Sequence, residues 1–196
     1  MIYLVRHGQS EWNALRRTQG QTSHPPLTGL GRRQARCAAE AIRSDLGERQ
    51  VAEIATSDLE RALQTARIIS EVVPGAIRLD PNWREQALGS LEGANQNDAF
   101  RAVAELNWLD PDIQIGGGES AHEVAVRTKA AFLRLSGAKP TVVVSHSDAI
   151  RSVLGWMGAA ASSHVPWVEV ANGAVVVVGE GGPPRWLAPA NVEWLP

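Results

Sequence analysis

The first apolar run of this chain ends at an arginine and a histidine. Residues 2–5 are apolar and of strand length, so Arg6 and His7 are expected at the carboxyl end of a buried strand, where open α/β sheets bind their ligands. Gly8 then allows a sharp turn or a close approach of the backbone to a ligand. A neutral imidazole beside a guanidinium can attack an electrophile whose charge the guanidinium neutralises. The electrophile that fits this pair best is a phosphoryl group.

A second histidine occupies the same kind of position. Thr141 to Ser145 is predicted as a buried strand, and it runs directly into His146, Ser147 and a helix predicted from Asp148 to Met157. We expect Ser147 to cap that helix, which places His146 beside a helix N-terminus, whose free amides favour an anion. One histidine after a strand is more often structural. Two at equivalent strand ends favour a shared anion site.

Two more charged residues follow predicted strands. Ser57 and Glu60 have the spacing of a capping box, which places Arg61 in the first turn of a helix, where the dipole disfavours a cation unless an anion is bound. Glu85 lies in a loop. If that loop folds over the pocket, partial burial raises the glutamate pKa and suits it to donate a proton to a leaving alkoxide. The ordinary alternatives are a solvent-facing arginine and a solvated glutamate.

Strands and helices alternate along the chain, which predicts a largely parallel sheet with helices on both faces. The predicted strands are Ile2 to Arg6, Glu53 to Thr56, Ile77 to Leu79, Thr141 to Ser145, Ala174 to Val178 and Arg185 to Leu187. The predicted helices are Thr28 to Leu46, Ser57 to Val73, Asp98 to Asn107, Ser120 to Leu135 and Asp148 to Met157. A turn at Gly181 to Pro184 would join an antiparallel edge pair. The expected architecture is a three-layer α/β/α sandwich with one antiparallel edge strand, formed by residues 1–196 as a single domain.

Composition limits the possible partners and compartment. The formal charge is −2, from 19 basic and 21 acidic residues without long blocks of one sign, which argues against nucleic acid or an anionic membrane as the main partner. Cys37 is the single cysteine, so no internal disulfide forms. The N-terminal sequence lacks the pattern of a signal peptide, and apolar runs are too short to span a membrane. We therefore expect a cytoplasmic protein.

The charged residues belong to short motifs that follow one another in a specific order. These are Leu4-Val5-Arg6-His7-Gly8, Gln19-Gly20, Pro26-Leu27-Thr28, Ser57-Asp58-Leu59, Arg84-Glu85, Leu91-Glu92-Gly93, Gly117-Gly118-Glu119-Ser120 and Val144-Ser145-His146. Over almost its whole length the chain thereby resembles the histidine phosphatase superfamily, in its phosphoglycerate-mutase-like branch. The resemblance implies that His7 attacks phosphorus and becomes phosphorylated, and that Glu85 is the proton donor.

The resemblance also implies roles for the surrounding residues. The phosphoryl oxygens would be held by Arg6, Arg61 and His146, and the positions that match pocket-lining residues of the family are Asn13, Gln19 and Gly20. No cofactor or metal is implied, because two arginines and a histidine supply the charge. The remaining histidines, His24, His122 and His164, lack metal-ligand spacing.

The chain departs from the family pattern at two serines. Ser10 stands where many members have threonine, and this change keeps the hydroxyl. Ser147 stands where many members have glycine. The sequence leaves open whether the Ser147 hydroxyl caps the helix, contacts phosphate or narrows the pocket.

The segment between Gly93 and Gly118 favours hydrolysis over a cofactor-dependent mutase reaction. It is short and contains one basic residue, Arg101, against four carboxylates, Asp98, Glu105, Asp110 and Asp112. A bisphosphorylated intermediate would find little compensating charge there. An apolar rim could be formed by Trp83, Phe100, Trp108 and Leu109, although for Trp83 and Trp108 packing in the core is an equal alternative.

Three functions are therefore compared. The expected one is hydrolysis of a small phosphorylated metabolite, and a phosphoglycerate mutase is the first alternative. A catalytically silent binding module is the second, although such a module would be expected to lack His7 or Glu85 and the chain has both. A homodimer is left open.

Overall fold

The sheet of this protein has six strands in the order β3-β2-β4-β1-β5-β6. The computed structural model describes residues 1–107, 110–135, 139–159, 168–179 and 182–187. Its strands are β1 (Ile2–Arg6), β2 (Ile54–Thr56), β3 (Ile77–Leu79), β4 (Thr141–Ser145), β5 (Val175–Val178) and β6 (Arg185–Leu187). Its α-helices are α1 (Glu11–Ala14), α2 (Gly29–Leu46), α3 (Glu60–Val72), α4 (Gln96–Ala102), α5 (Ala121–Arg134) and α6 (Ser147–Ala159). Pro81–Trp83 and Gly89–Leu91 form short 3-10 helices.

The strand directions confirm a mostly parallel sheet. Four strands run parallel to one another in the order β3, β2, β4, β1, whereas β5 pairs antiparallel with both β1 and β6. The antiparallel strand β5 therefore lies one place inside the edge, and β6 closes the sheet. Gly181, the first residue of the turn predicted between these strands, lies outside the described residues.

The two faces of the sheet bury separate apolar clusters, which gives the three expected layers. On one face Tyr3 and Val5 of β1 pack with α2 and α3 through residues such as Ile42 and Ile69. On the other face Leu4 packs with Trp83 and with residues of α5 and α6. This alternation along β1 is the period-two pattern of a strand covered on both sides. Within the described ranges, no helix is long and apolar enough to cross a bilayer.

Three predicted helix starts are wrong by a few residues. The helix predicted at Ser57 begins at Glu60, because the Ser57 hydroxyl instead accepts a hydrogen bond from the Leu59 amide within the preceding turn. The capping box is therefore absent, although Arg61 still lies in the first helical turn. Ser147 is itself the first residue of α6 and does not precede it as a cap.

The helix predicted from Asp98 to Asn107 is displaced toward the N-terminus. It spans Gln96–Ala102, and Asn95 caps it by accepting a hydrogen bond from the Asn97 amide. Asparagine is a favoured N-cap residue, so the cap determines where this helix begins.

Strand register brings the two histidines to the same edge of the sheet. Arg6 of β1 pairs with Ser145 of β4, and the His7 amide donates to the Ser145 carbonyl at 3.0 Å. Because β1 and β4 are parallel neighbours that end level, the next residue of each strand emerges at the same place. His7 and His146 therefore follow equivalent strand ends at the centre of the sheet.

Candidate active site

His7 is a buried imidazole whose tautomer is determined by the main chain. Its Nδ1 lies 2.7 Å from the carbonyl oxygen of Gly8, which can only accept, so Nδ1 carries the hydrogen and Nε2 keeps its lone pair. Burial lowers the His7 pKa well below its usual value, and Arg61 and Arg6 lower it further. The ring is therefore neutral near pH 7. A neutral imidazole with a free Nε2 is a competent nucleophile.

His146 lies against His7 and is completely buried. The two ring centroids are 5.0 Å apart, with the planes inclined at 62°. Neither ring nitrogen of His146 has a hydrogen-bond partner among the described residues. Burial lowers its pKa, and the charges of Arg61 and other cations act in the same direction. The predicted convergence of the two strand ends is thus confirmed. His146 lies beside His7 with both ring nitrogens unpartnered among the described residues, although it is not itself part of the cavity lining.

Two arginines direct positive charge at the same place. The fully buried Arg61 donates from Nη1 to the Thr22 carbonyl and from Nη2 to the Gly20 carbonyl, both at 2.8 Å. Arg6 donates from Nη1 to the Val170 carbonyl at 2.5 Å. The Nε of each arginine is buried without a partner among the described residues. Burial lowers the pKa of Arg61 to about 10, so this guanidinium is still charged at neutral pH.

Glu85 lies at the N-terminus of α6. Its Oε1 accepts from the amides of Asp148 at 3.0 Å and Ala149 at 3.3 Å. Burial raises the pKa of Glu85 to about 7, the Asp148 carboxylate raises it as well, and the charges of Arg6 and Arg61 oppose the rise. A carboxyl group with a pKa near 7 can donate and then accept a proton at neutral pH. The sequence-based expectation of a raised pKa is confirmed.

A partly buried ion pair between Arg127 of α5 and Glu119, just before that helix, supports the loop that carries Glu85. Arg127 and Glu119 form two N–O contacts of 2.8 Å. The same guanidinium donates to the carbonyls of Arg84 at 2.7 Å and Glu85 at 2.8 Å. Glu119 in turn accepts from the Ala87 amide at 2.9 Å. Sequence reasoning missed Arg127, because its main partners here are backbone carbonyls that leave no signal in the side-chain pattern.

A second carboxylate joins this loop to the segment that carries Gln19 and Gly20. Glu92 accepts from the Gln21 amide at 2.9 Å, the Thr22 hydroxyl at 2.9 Å and the Leu88 amide at 3.1 Å. Gly20 has a φ of +49°, and a Cβ there would lie 2.2 Å from a Glu92 oxygen. The segment can therefore pass this close only with glycine at position 20.

The polar residues next to His7 form a connected network. The buried Ser10 caps α1 in a capping box with Asn13, and its hydroxyl lies 2.7 Å from Gln19 Oε1. Asn172, which sequence reasoning missed, donates to the His7 carbonyl at 3.1 Å and to Asn13 Oδ1 at 3.3 Å. Ser10, the serine in place of the family's threonine, thus has a positioning role in the fold.

One cavity of about 780 Å³ contains most of the expected site residues. Its lining includes Arg6, His7, Asn13, Gln19, Gly20, Arg61, Glu85 and Ser147. Arg17, Asp148 and Arg151 also line it, and sequence reasoning had not placed Arg151 there. The spacing of Asp148 and Arg151, three residues apart on α6, gives an ion pair that a helical projection could have indicated.

The expected apolar rim is confirmed in part and wrong in part. Phe100 lines the cavity. Trp83 does not, because it is fully buried in the core between the sheet and the helices α5 and α6. Trp108 and Leu109 lie outside the described residues. Asp110 lines the cavity, whereas the exposed Arg101 pairs with Asp98.

The described residues contain no group of three or more histidine, cysteine or acidic side chains with the geometry to hold a metal ion. The cationic side chains that line the cavity are Arg6, Arg17, Arg61 and Arg151. Together with a neutral nucleophile and a carboxyl group of pKa near 7, they form an arrangement suited to phosphoryl transfer.

Comparison with known sequences gives the same family. The model of the histidine phosphatase superfamily (branch 1) matches residues 2–188. Probable phosphoglycerate mutase GpmB of Photorhabdus laumondii subsp. laumondii is 42% identical over 164 residues, which are 79% of this chain and 73% of that protein. The protein of the same name from Enterobacter sp. strain 638 is 41% identical over 158 residues, 76% of this chain and 70% of that one.

Solved structures resemble the whole fold. Mycobacterial glucosyl-3-phosphoglycerate phosphatase in complex with VO3 has a TM-score of 0.72 and 30% identity, covering 94% of this chain and 96% of that one. Mycobacterial hydrolase 2 has a TM-score of 0.75 and 28% identity, covering 98% of this chain and 92% of that one. With the family model spanning nearly the entire sequence, the chain belongs to the histidine phosphatase superfamily, branch 1, and is an enzyme of the histidine phosphatase type.

Proposed function

We propose that the protein hydrolyses phosphomonoesters of a small metabolite through a phosphohistidine at His7. The observation that carries the proposal is the pairing of a neutral His7, with Nε2 free, and a Glu85 whose pKa is about 7 in one cavity. This pairing supplies both the nucleophile and the proton that the leaving oxygen needs. Neither the nucleophilic nor the acid–base role requires a metal ion.

In the first step Nε2 of His7 bonds to phosphorus while the P–O bond to the alcohol breaks. Glu85 donates its proton to the departing oxygen, and the Gly8 carbonyl stabilises the positive charge that develops on the ring through Nδ1–H. Arg6, Arg61 and His146 offer hydrogen bonds to the phosphoryl oxygens, where charge accumulates. The products of this step are free alcohol, ionised Glu85 and phosphorylated His7.

In the second step water replaces the alcohol. Ionised Glu85 takes a proton from the water, the water oxygen bonds to phosphorus, and the P–N bond to His7 breaks. Inorganic phosphate leaves, and both side chains return to their starting protonation states. One group thus serves as acid and then as base, for which a pKa near the working pH is best suited.

A phosphoglycerate mutase is the second candidate, favoured by the names of the curated relatives and by Arg17 and Arg151 at the cavity. Two features support hydrolysis instead. Arg151 is already paired with Asp148, and the short segment 93–118 contributes Asp110 to the cavity but not its own Arg101. A mutase must retain a doubly phosphorylated intermediate, and this charge balance provides little excess positive charge for it.

Labelling with a ³²P-phosphomonoester tests the phosphohistidine. We expect an acid-labile, base-stable label on the wild-type protein and none on His7→Ala. An acid-stable label, or one that persists in His7→Ala, would count against the proposal. His122→Ala is the control, because that histidine is exposed and does not line the cavity.

Mutase and phosphatase rates on the same preparation separate the two candidates. We expect release of inorganic phosphate from simple esters to exceed interconversion of phosphoglycerates, even with bisphosphoglycerate present. A mutase rate above the hydrolysis rate would favour the second candidate. Arg17→Gln then shows whether the rim cation is responsible.

A further inference from the structure

The cavity extends from His7 across a wall that is mainly apolar. Beyond the phosphate-binding groups, this wall is formed by Leu88, Leu91, Phe100, Val103, Ile113 and Val124. They come from the loop after Glu85, from α4, from the segment that follows it and from α5. We call these six residues the apolar wall. The cavity is continuous from this wall to His7. A substrate that transfers its phosphoryl group to His7 therefore places its leaving group against the apolar wall.

The exposure of Phe100 indicates that the apolar wall has an occupant. The side chain lines the cavity and yet is 68% exposed, so the fold itself gains little from it. Large aromatic side chains bind ligands strongly when they are covered. An exposed aromatic residue that lines the same cavity as the reactive cluster is well placed to contact a substrate.

Charged residues on the remaining lining nearly cancel. Of the described lining residues outside the phosphate pocket, the charged ones are Arg17, Asp110, Asp148 and Arg151. Asp148 and Arg151 form an ion pair with each other. Arg17 is exposed and is opposed by Asp110 in the same lining. A second anionic group on the substrate therefore meets no net positive charge beyond the phosphate pocket.

From these observations we infer that the leaving group is uncharged and apolar, an alkyl or aryl alcohol that packs on the apolar wall. The inference rests on the proposed phosphatase function and specifies its substrate class. A volume of about 780 Å³ accommodates a phosphoryl group together with a hydrocarbon group of drug-like size. The phosphate is recognised by charge and the alcohol by burial of apolar surface.

A series of straight-chain alkyl phosphates from propyl to octyl tests the inference. The alcohols have nearly the same acidity, so differences in kcat/KM report contacts with the cavity. We expect kcat/KM to rise by about threefold to fourfold for each methylene that is buried, until the wall is covered. A terminal carboxylate on the longest ester should remove most of this gain.

Phe100→Ala should flatten the dependence of kcat/KM on chain length, because the longer alkyl groups lose the aromatic surface on which they pack. Because Phe100 is largely exposed, the truncation should not prevent folding. Leu133→Ala is the matched control, since Leu133 is 62% exposed on α5 and does not line the cavity. That variant should keep the wild-type dependence.

The outcomes distinguish this inference from the function on which it rests. A flat series with normal phosphohistidine labelling would overturn the apolar leaving group and leave the phosphatase assignment intact. Preference for the carboxylated ester, lost in Arg17→Gln, would overturn it in favour of an anionic substrate. Absence of hydrolysis for every ester, together with absence of label on His7, would overturn both.

Discussion

At the scale of single residues, reactivity arises from burial that reverses the usual order of two pKa values. Burial lowers the pKa of His7 below its usual range and raises that of Glu85 to about 7. The nucleophile is consequently unprotonated and the acid is still partly protonated at neutral pH. Separate environments for two titratable groups are a general way to assign acid and nucleophile roles.

Glu85→Gln should lower kcat on alkyl phosphates by on the order of 10² to 10⁴, because a poor leaving group depends on the donated proton. With p-nitrophenyl phosphate the loss should be much smaller, since p-nitrophenolate leaves without a proton. Steady-state kinetics on both esters measure the difference. Glu105→Gln, an exposed carboxylate that does not line the cavity, should match wild type on both. Equal losses on the two esters would contradict proton donation by Glu85.

The pH profile on alkyl phosphates should fall as pH rises through about 7, because Glu85 loses its proton with a pKa raised to that value. On the acid side, the rate should fall only at pH values below the usual pKa range of histidine. The reason is that the His7 pKa is lowered, so the ring is protonated only at lower pH. The limb near pH 7 should disappear in Glu85→Gln and with p-nitrophenyl phosphate. A limb that persists in both would have to belong to another group.

At the scale of elements, α5 holds the loop that carries the acid. Arg127 donates to the carbonyls of both Arg84 and Glu85 while it is paired with Glu119. Such fork-shaped bonding is specific to arginine, so lysine is not an equivalent replacement. Through these bonds a residue that lies outside the cavity lining determines where the Glu85 carboxyl group sits.

Arg127→Lys should therefore lower kcat on alkyl phosphates more than on p-nitrophenyl phosphate and should shift the pH limb of Glu85. Arg134→Lys on the same helix is the control, because Arg134 is half exposed and forms a long ion pair of 3.5 Å with Asp80. A purely structural role would reduce both rates alike and leave the pH limb in place. Kinetics on the two esters across pH decide between these results.

Gly8 and Gly31 pack backbone against backbone where β1 leaves the sheet and α2 begins. A Cβ on Gly8 would lie 2.1 Å from the Gly31 carbonyl oxygen, so Gly8→Ala should destabilise the fold by roughly 1–3 kcal/mol or more through overpacking. Gly29→Ala is the control, since its nearest neighbouring atom lies 3.8 Å away at the Arg33 guanidinium. It should be neutral or slightly stabilising. Denaturant unfolding of both variants measures the difference, and equal stability would contradict the close approach.

The sequence predicted those features that depend on periodicity or on an ordered set of motifs. The strands, the sheet faces and the convergence of His7 with His146 follow from apolar runs that end at reactive residues. The sequence could not decide between rim and core for Trp83, because it stands two residues from Glu85, whereas in the structure a 3-10 helix turns its ring into the core. Arg127 and Asn172 could not be found, since each binds carbonyls that are distant in sequence and carry no residue-specific signal.

At the scale of the whole molecule, the proposed anion site joins parts of the chain that are distant in sequence and meet at one edge of the sheet. β1, β4, α3 and the loop after β3 each contribute a charged or histidine side chain. An anion that binds all four favours the folded state alone. Ligand binding and global stability are therefore linked by mass action.

Vanadate or inorganic phosphate should raise the melting temperature of the wild-type protein. At a concentration of 100 times Kd the gain is about 2.7 kcal/mol, which corresponds to roughly 5 to 10 °C for a chain of this size. Arg61→Gln should lose most of the shift, whereas Arg67→Gln, an exposed arginine on the same helix, should keep it. Thermal scans with and without ligand give the result. An unchanged shift in Arg61→Gln would contradict the assigned anion site.

The bond from His7 to the Gly8 carbonyl has a consequence for how this enzyme can change over evolutionary time. Every residue has a carbonyl, so no codon change at position 8 or 9 deletes the acceptor that orients the imidazole. The orientation of the imidazole depends on the path of the backbone, which a side-chain substitution does not directly change. Chemical synthesis can still alter it: an ester in place of the peptide bond between Gly8 and Gln9 weakens that carbonyl as an acceptor. Such a depsipeptide enzyme would have an unchanged set of side chains, a weaker bond from the His7 Nδ1–H, and no amide at position 9 to donate to Gln34 Oε1.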